Sequence, residues 1–199
     1  MPGTYTGIYF FSESYAMLPL LSIKNLSIRF NNEGSQSAAV ENISITLHRG
    51  KTLALVGESG SGKSVTAMAV LQLLPSNAIV EGNIAFSEDA VSQKNLAELR
   101  LKEINKIRGN KIGMIFQEPM TSLNPVLTCG QQVIESLVLH RKLSKKEATE
   151  RTLSLFTQVE LPDPPAMLNR YPHQLSGGQK QRVMIAMAMS CDPDLIIAD

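Results

Sequence analysis

The residues best suited to chemistry in this chain form one glycine-rich segment, residues 57–64. The segment fits the pattern G-x-x-x-x-G-K-[ST] and consists of Gly57, Glu58, Ser59, Gly60, Ser61, Gly62, Lys63 and Ser64. Glycines let the backbone bend so that successive N–H groups converge on phosphate oxygens at a helix N-terminus, where those donors lack helical partners. The spacing therefore predicts a phosphate-binding loop.

Two side chains of this loop would act directly on a bound nucleotide. Lys63 would lie against the β- and γ-phosphates, and the hydroxyl of Ser64 would bind Mg²⁺. The dinucleotide-binding pattern G-x-G-x-x-G does not fit, because the residue three positions after Gly62 is not glycine. The loop alone indicates only that a nucleotide is bound, since kinases, GTPases, helicases and transport ATPases all use such a loop.

A second pair of glycines, Gly177 and Gly178, stands at the predicted start of a helix. Ser176 and Gln179 flank it with the spacing of a capping box, so one reading is a helix cap and nothing more. Two glycines in a first helical turn each lower helix stability by up to roughly 1 kcal/mol relative to alanine. This cost favours a second reading, in which an anion docks closely on the helix N-terminus.

Hydrophobic periodicity predicts the elements that hold both motifs. Alternation near residues 26–30 and 43–47 indicates an antiparallel pair, and the apolar run 52–56 predicts a strand buried on both faces directly before the loop. Helices are expected over residues 65–74, 95–108, 130–140, 176–190 and after the capping box at Ser144, with strands at 111–116 and 195–198. The order of elements is that of an α/β protein.

Composition places the 199-residue chain among ordinary globular proteins, with 43% hydrophobic residues, 19% charged residues and a formal net charge of +1. This charge gives no reason to expect a nucleic-acid partner. No apolar run approaches the roughly 18 residues that a membrane-spanning helix needs. Cys129 and Cys191 lie far apart in the sequence without a CxxC pair, so we expect two reduced, buried thiols.

Residues 1–16 form an atypical N-terminal extension that holds five of the ten aromatic residues. The extension contains no Lys or Arg, which argues against a secretory signal. Two alternatives stay open: Met17 is the working start of the protein, or residues 1–16 are a genuine N-terminal tail.

Taken in order, the phosphate loop, the segment 175–179 and the apolar strand ending in Asp199 resemble the ATP-binding subunit of an ABC transporter. The resemblance implies an ABC ATP-binding domain over residues 17–199, with the fold of a P-loop NTPase. It also implies an antiparallel β subdomain and a helical subdomain at about residues 118–175. The implied cofactors are ATP and Mg²⁺, and the implied activity is ATP hydrolysis.

The same resemblance assigns further residues to the nucleotide. Two such domains bind ATP between them, so residues 176–179 would reach the γ-phosphate held by the partner domain. Asp199 matches the aspartate that supports Mg²⁺ through water, and Gln117 matches the glutamine that senses Mg²⁺ and the attacking water. With Ser64, these two residues complete the implied magnesium site. Phe30 matches the position of the aromatic residue that stacks on adenine. The alternative is that Phe30 only packs in the hydrophobic core.

Two short strings narrow the resemblance to one branch of the family. The ATPase subunits of importers of dipeptides, oligopeptides, nickel or glutathione carry strings similar to residues 116–125, FQEPMTSLNP, and residues 171–174, YPHQ, of this chain. The strings resemble most of all those of the microcin-C-type peptide importers. The implied partners are a second ATPase domain, whether identical, different or fused, two integral membrane permease subunits and, indirectly, an extracellular or periplasmic solute-binding protein. The implied location is the cytoplasmic face of the bacterial inner membrane.

The family pattern continues beyond Asp199, so the resemblance implies a domain truncated at that aspartate. The catalytic glutamate of the family is then absent, and the core sheet would be incomplete because a strand between the 52–56 strand and the Asp199 strand is missing. Two alternatives to a transport ATPase remain: a catalytically inactive nucleotide-binding fragment, and a soluble ABC protein that is not coupled to transport.

Overall fold

A computed structural model of the chain describes residues 18–32, 35–118 and 122–199. The N-terminal extension and the two alternatives for its start lie outside these residues.

Four strands form an antiparallel sheet in the order β2-β1-β3-β4. They are β1 (Leu21–Asn32), β2 (Ser35–Leu47), β3 (Ala78–Phe86) and β4 (Lys94–Asn95). The predicted antiparallel pair is confirmed as β1 and β2. Strand β3 was not predicted, because Gly82 interrupts its pattern opposite a bulge in β1, where Gly82, at φ 109°, passes the carbonyl oxygen of Asn25.

A second sheet consists of two parallel strands, β5 (Ile112–Ile115) and β6 (Leu195–Ala198). Both strands were predicted from their apolar runs. Ile115 pairs with Ala198, so the two strands end at the same edge. This edge becomes one wall of the candidate site.

Six helices lie wholly within the part of the chain that the structure describes. They are α1 (Lys63–Val70), α2 (Leu101–Ile107), α3 (Cys129–Arg141), α4 (Lys145–Gln158), α5 (Pro164–Met167) and α6 (Gly177–Met189). The predictions for α3, α4 and α6 are confirmed. The capping box that opens α4 is present, since the Ser144 hydroxyl accepts from the Glu147 N–H at 3.3 Å.

The helix predicted over residues 65–74 ends earlier than expected, at Val70. Gln72 takes a left-handed φ of 51°, which ends the helix before Pro75 is reached. The Arg108 guanidinium donates to the carbonyl oxygens of Leu71 and Gln72, both at 2.8 Å, and so supplies the partners that a continued helix would have given.

The single helix predicted over residues 95–108 is wrong, because its first part joins the antiparallel sheet. Asn95 belongs to β4, and its side-chain oxygen accepts from the N–H groups of Ile84 and Ala97. A 3-10 turn, Leu96–Glu98, follows, and α2 begins only at Leu101. Pairing with β3, across the connecting residues 87–93, overrides the local helical spacing.

Two hydrophobic clusters fill the interior. The first joins the antiparallel sheet to α1, α2 and the parallel strands, with Ile28, Ile84 and Phe86 fully buried. The second is formed among α3 to α6 and includes Leu137 and Phe156. The helical subdomain predicted at residues 118–175 stays a prediction. The second cluster does not mark its boundary, because α6, which begins after residue 175, also packs in this cluster.

Both cysteines are free and buried, as the sequence predicts. Burial raises the pKa of the Cys129 thiol to about 11, so this thiol stays protonated at neutral pH.

The buried strand predicted over residues 52–56 is not found. No strand of the described residues pairs with this segment, and Leu53, Leu55 and Val56 are 47%, 45% and 93% exposed. A groove of about 400 Å³ lies between residues 53–55 and β6. A strand needs a neighbour for its N–H and C=O groups, and no strand among the described residues supplies one for this segment.

Substitution of Gly113 in β5 by alanine is expected to destabilise the protein by about 2 kcal/mol, since overpacking of a tight core site has this effect. A Cβ atom at Gly113 would overlap the carbonyl oxygen of Ala188 at the end of α6. Gly177→Ala is the control, because a Cβ there meets no atom within 4 Å. Chemical denaturation of the full-length protein measures both variants, and equal unfolding midpoints would contradict the packing described here.

Candidate functional site

The glycine-rich loop leads directly into α1 through two left-handed residues. Gly60 and Gly62 have φ values of 83° and 88°. A Cβ at Gly62 would lie 2.5 Å from the carbonyl oxygen of Ala39 and 2.8 Å from a methyl group of Val40, so a larger residue cannot occupy this position without displacing β2. Gly62 caps α1 from its left-handed conformation. The first N–H groups of the helix therefore face the loop without helical partners, as anion binding requires.

The ammonium group of Lys63 folds back over the loop. It donates to the carbonyl oxygens of Gly57 and Glu58 at 2.8 and 2.7 Å, and to the Ser61 hydroxyl at 3.3 Å. These acceptors are uncharged. An anionic phosphate oxygen would be a stronger acceptor for the same ammonium group, because charge-assisted hydrogen bonds are about twice as strong as neutral ones.

Ser64 and Asp199 meet although they lie far apart in the sequence. The Ser64 hydroxyl donates to the Asp199 carboxylate at 2.7 Å. The N–H of Asp199 donates to the carbonyl of Ile115 at 3.0 Å and extends the β5–β6 ladder by one residue. A hydroxyl and a carboxylate side by side are oxygen ligands of the kind that Mg²⁺ prefers, so these residues fit the implied ion.

Gln117 lies two residues beyond the end of β5 and is exposed. Because β5 and β6 are parallel and end together, Gln117 and Asp199 emerge at the same edge of the sheet. The structure thus brings Gln117, Asp199 and the loop helix α1 to one side of the molecule.

A groove of about 770 Å³ borders the other side of the phosphate loop. Its walls are the loop with the start of α1, and residues 38–45 of β2. This volume lies in the range of small-molecule and cofactor sites. The sequence did not predict that β2 would form this wall, since its contact with Gly62 depends on long-range packing.

Phe30 does not line this groove. It pairs with Ser37 and Ala78 across the sheet and packs, half buried, against the first hydrophobic cluster. This packing supports the core position that the sequence left open, and stacking on adenine remains a prediction.

The second glycine motif forms the helix cap that its spacing predicts. The Ser176 hydroxyl accepts from the Gln179 N–H at 3.3 Å, and the Ser176 N–H donates to the Gln179 side chain at 3.0 Å. Gly177 and Gly178 are exposed, and a Cβ at either would meet nothing within 4 Å. Packing within the chain therefore does not require these glycines.

The two glycine motifs do not form one site within a single chain. Neither groove that borders the phosphate loop is lined by residues 176–179. A ligand held by the phosphate loop would need a second domain to meet this helix N-terminus.

Arg49 positions the strand that leads to Asp199. No pattern in the sequence indicated this role of Arg49. Its guanidinium donates to the Asp194 carboxylate at 2.9 Å and to the carbonyl oxygens of Ser87 and Glu88 at 2.7 and 2.6 Å. Lys111 also contacts Asp194, at 3.5 Å. These contacts fasten the start of β6 to the end of β3. No local signal predicts them, because the partners lie in three separate parts of the chain.

The model of the ABC transporter family matches residues 40–199, so the chain belongs to this family. Among its relatives is the glutathione import ATP-binding protein GsiA of Salmonella choleraesuis, 49% identical over 185 residues, which are 90% of this chain and 29% of GsiA. The dipeptide transport ATP-binding protein DppD of Bacillus subtilis is 48% identical over 185 residues, which are 92% of this chain and 54% of DppD. The chain thus spans about a third to a half of these curated relatives.

The fold agrees with solved structures of this family. The dimeric post-hydrolysis structure of the ATP-binding cassette MJ0796, bound to ADP and Pi, superposes with a TM-score of 0.77 at 31% identity. The match covers 90% of this chain and 73% of that cassette. The predicted α/β fold of an ABC ATPase is confirmed. Over the ranges that the structure describes, no helix combines the length and apolar character needed to cross a bilayer.

Proposed function

We propose that this chain binds and hydrolyses ATP as the cassette of a bacterial ABC importer of peptides or related small solutes. One observation carries the proposal: the 2.7 Å hydrogen bond between Ser64 and Asp199. It joins the helix that follows the phosphate loop to the strand that ends in the aspartate, and so places hydroxyl and carboxylate beside Lys63. Nucleotide binding with a divalent ion is the chemistry that this arrangement supports best.

In the proposed reaction, water attacks the γ-phosphate in line with the leaving group, and catalysis rests on positioning and charge stabilisation. The loop N–H groups and Lys63 hold the phosphates. Ser64 and Asp199 would hold Mg²⁺, which neutralises phosphate charge when bound. Gln117, at the same edge of the sheet, would orient the attacking water.

A second domain completes this site in our proposal. Residues 176–179 present an exposed helix N-terminus whose glycines have no packing role within the chain. In a head-to-tail pair, this N-terminus would face the γ-phosphate held by the other domain. The dimeric state named for MJ0796 supports such a pair. The second domain is identical, different or fused in the same polypeptide.

The proposed cargo class and membrane partners rest on the names of the relatives, one a glutathione importer subunit and the other a dipeptide transport subunit. We propose two integral membrane permease subunits as direct partners and an extracellular or periplasmic solute-binding protein as an indirect one. The cassette would then lie at the cytoplasmic face of the bacterial membrane. Residues 118–125, which follow Gln117, would face the permease.

Purification of the full-length protein from its native host tests this function. We expect two integral membrane proteins to co-purify with it, and the complex to release phosphate from ATP in a Mg²⁺-dependent manner. Recovery as a soluble protein without membrane partners would contradict the transport role. Absence of phosphate release from the intact complex would contradict the enzymatic role.

A further inference from the structure

Gln132, in the first turn of α3, is a polar side chain that is only 8% exposed. Its carbonyl oxygen accepts from the N–H of Asn124 at 2.9 Å. Its amide nitrogen donates to the carbonyl oxygens of Asn124 and Leu127 at 3.1 and 3.2 Å. The same nitrogen lies 3.5 Å from the carbonyl oxygen of Thr128, a fourth and longer contact. The side chain therefore binds the backbone of residues 122–128 through one acceptor contact and up to three donor contacts.

The segment that Gln132 holds, residues 122–128, contains a turn with a defined shape at residues 124–127. The Asn124 side chain accepts from the N–H of Val126 at 3.1 Å, and the N–H of Leu127 donates to the Asn124 carbonyl at 3.4 Å. Leu123 anchors one end in the second hydrophobic cluster and is 3% exposed. The turn is thus fixed by hydrogen bonds on its inner side and by packing at its base.

The exposed tip of this turn carries two apolar residues, Pro125 and Val126, next to the polar Asn124. Val126 is 76% exposed, and the turn contains no charged residue. An ordered turn with an apolar tip is suited to bind the surface of another protein. Its shape is set before binding, so little conformational entropy is lost on contact. An anionic lipid surface would instead select Lys or Arg residues, which this turn lacks.

We propose that Gln132 is a positioning residue for coupling: it holds residues 122–128 in the shape in which Pro125 and Val126 contact an apolar surface of the membrane subunit. This inference rests on the proposed function. This segment begins five residues after Gln117, the residue that would orient the attacking water in the proposed function. A partner at the tip of the turn would therefore contact the chain close to Gln117 in sequence. Gln132 itself touches neither the nucleotide nor the partner.

Gln132→Met tests this role, because methionine has a similar volume and cannot reproduce the hydrogen bonds of the amide. In the full-length protein, we expect hydrogen exchange at the N–H of Asn124 to accelerate at least about tenfold, since its acceptor is lost. We expect capture by the two membrane subunits, purified in detergent from the wild-type complex, to weaken at least about tenfold. Gln158→Met, at the exposed end of α4, is the matched control and should change neither quantity.

Asn124→Ala is a second variant that keeps the test decisive if Gln132→Met fails to fold. Asn124 is exposed, and its side chain fixes the tip without entering the core. We expect weakened capture here too, with the unfolding midpoint close to that of the wild type.

The outcomes separate this inference from the proposed function. Undiminished capture of Gln132→Met, or of Asn124→Ala where the first variant does not fold, would overturn the positioning role. Unchanged exchange at Asn124 in a folded Gln132→Met protein would overturn it as well. If the wild-type protein itself is not captured by the membrane subunits, the proposed function is wrong and the inference falls with it.

Discussion

Lys63→Ala is expected to weaken the binding of ATP with Mg²⁺ to the full-length protein by at least about a hundredfold, or about 3 kcal/mol. The ammonium group lies over the loop and contacts three oxygen atoms there, so it is already directed at the place where phosphates would bind. Alanine removes the only charge-assisted donor that the loop side chains supply. Equilibrium dialysis with radiolabelled ATP measures the change.

Lys51→Ala is the matched control for this prediction. Lys51 is an exposed lysine that precedes the loop by six residues and has no place in the proposed site. We expect its ATP affinity to stay within about twofold of the wild type, since one distant, exposed charge acts weakly at physiological ionic strength. Equal affinities of the Lys63 variant and the wild type would exclude the loop as the phosphate site.

Ser176→Arg is expected to leave ATP binding by the phosphate loop intact and to reduce phosphate release by at least about a hundredfold, or about 3 kcal/mol. Ser176 caps α6 at an exposed helix N-terminus, next to two glycines that leave open space. An arginine side chain would fill the space that a second domain and its γ-phosphate need. Dialysis measures binding, and a phosphate-release assay measures turnover.

Ser144→Arg separates this effect from simple loss of a helix cap. Ser144 caps α4 with the same box of hydrogen bonds that Ser176 makes at α6. Both substitutions remove a cap, which costs about 1 kcal/mol of stability in each case. We expect only the Ser176 variant to lose turnover. Normal phosphate release from that variant would contradict the two-domain site.

Features that depend on residues a few positions apart were predicted well. The capping boxes at Ser144 and Ser176 and the apolar strands β5 and β6 all follow local rules of spacing. The left-handed glycines of residues 57–64 and the helix after them also follow such a rule, and phosphate binding by this loop stays a prediction. Such rules hold because the hydrogen bonds or the period involved lie within one turn or one strand. The meeting of Ser64 with Asp199 was implied by the family resemblance rather than by spacing.

Features that depend on distant partners were missed or wrongly predicted. Asn95 joins β3 instead of a helix, because its backbone pairs with Ala85 and its side chain accepts from the N–H of Ile84 in β3. The apolar segment 52–56 reads as a strand, but no strand among the described residues lies beside it. Arg49 and Gln132 carry no motif, and their roles emerge only from the backbone groups that they contact.

Titration calorimetry of the wild-type full-length protein with ATP tests the central claim, that residues 57–64 hold a nucleoside triphosphate together with Mg²⁺. The account predicts saturable heat with one ATP bound per cassette, weakened when Mg²⁺ is chelated and lost in Lys63→Ala. An absence of binding heat at several temperatures, with Mg²⁺ present and the protein shown to be folded, would contradict it.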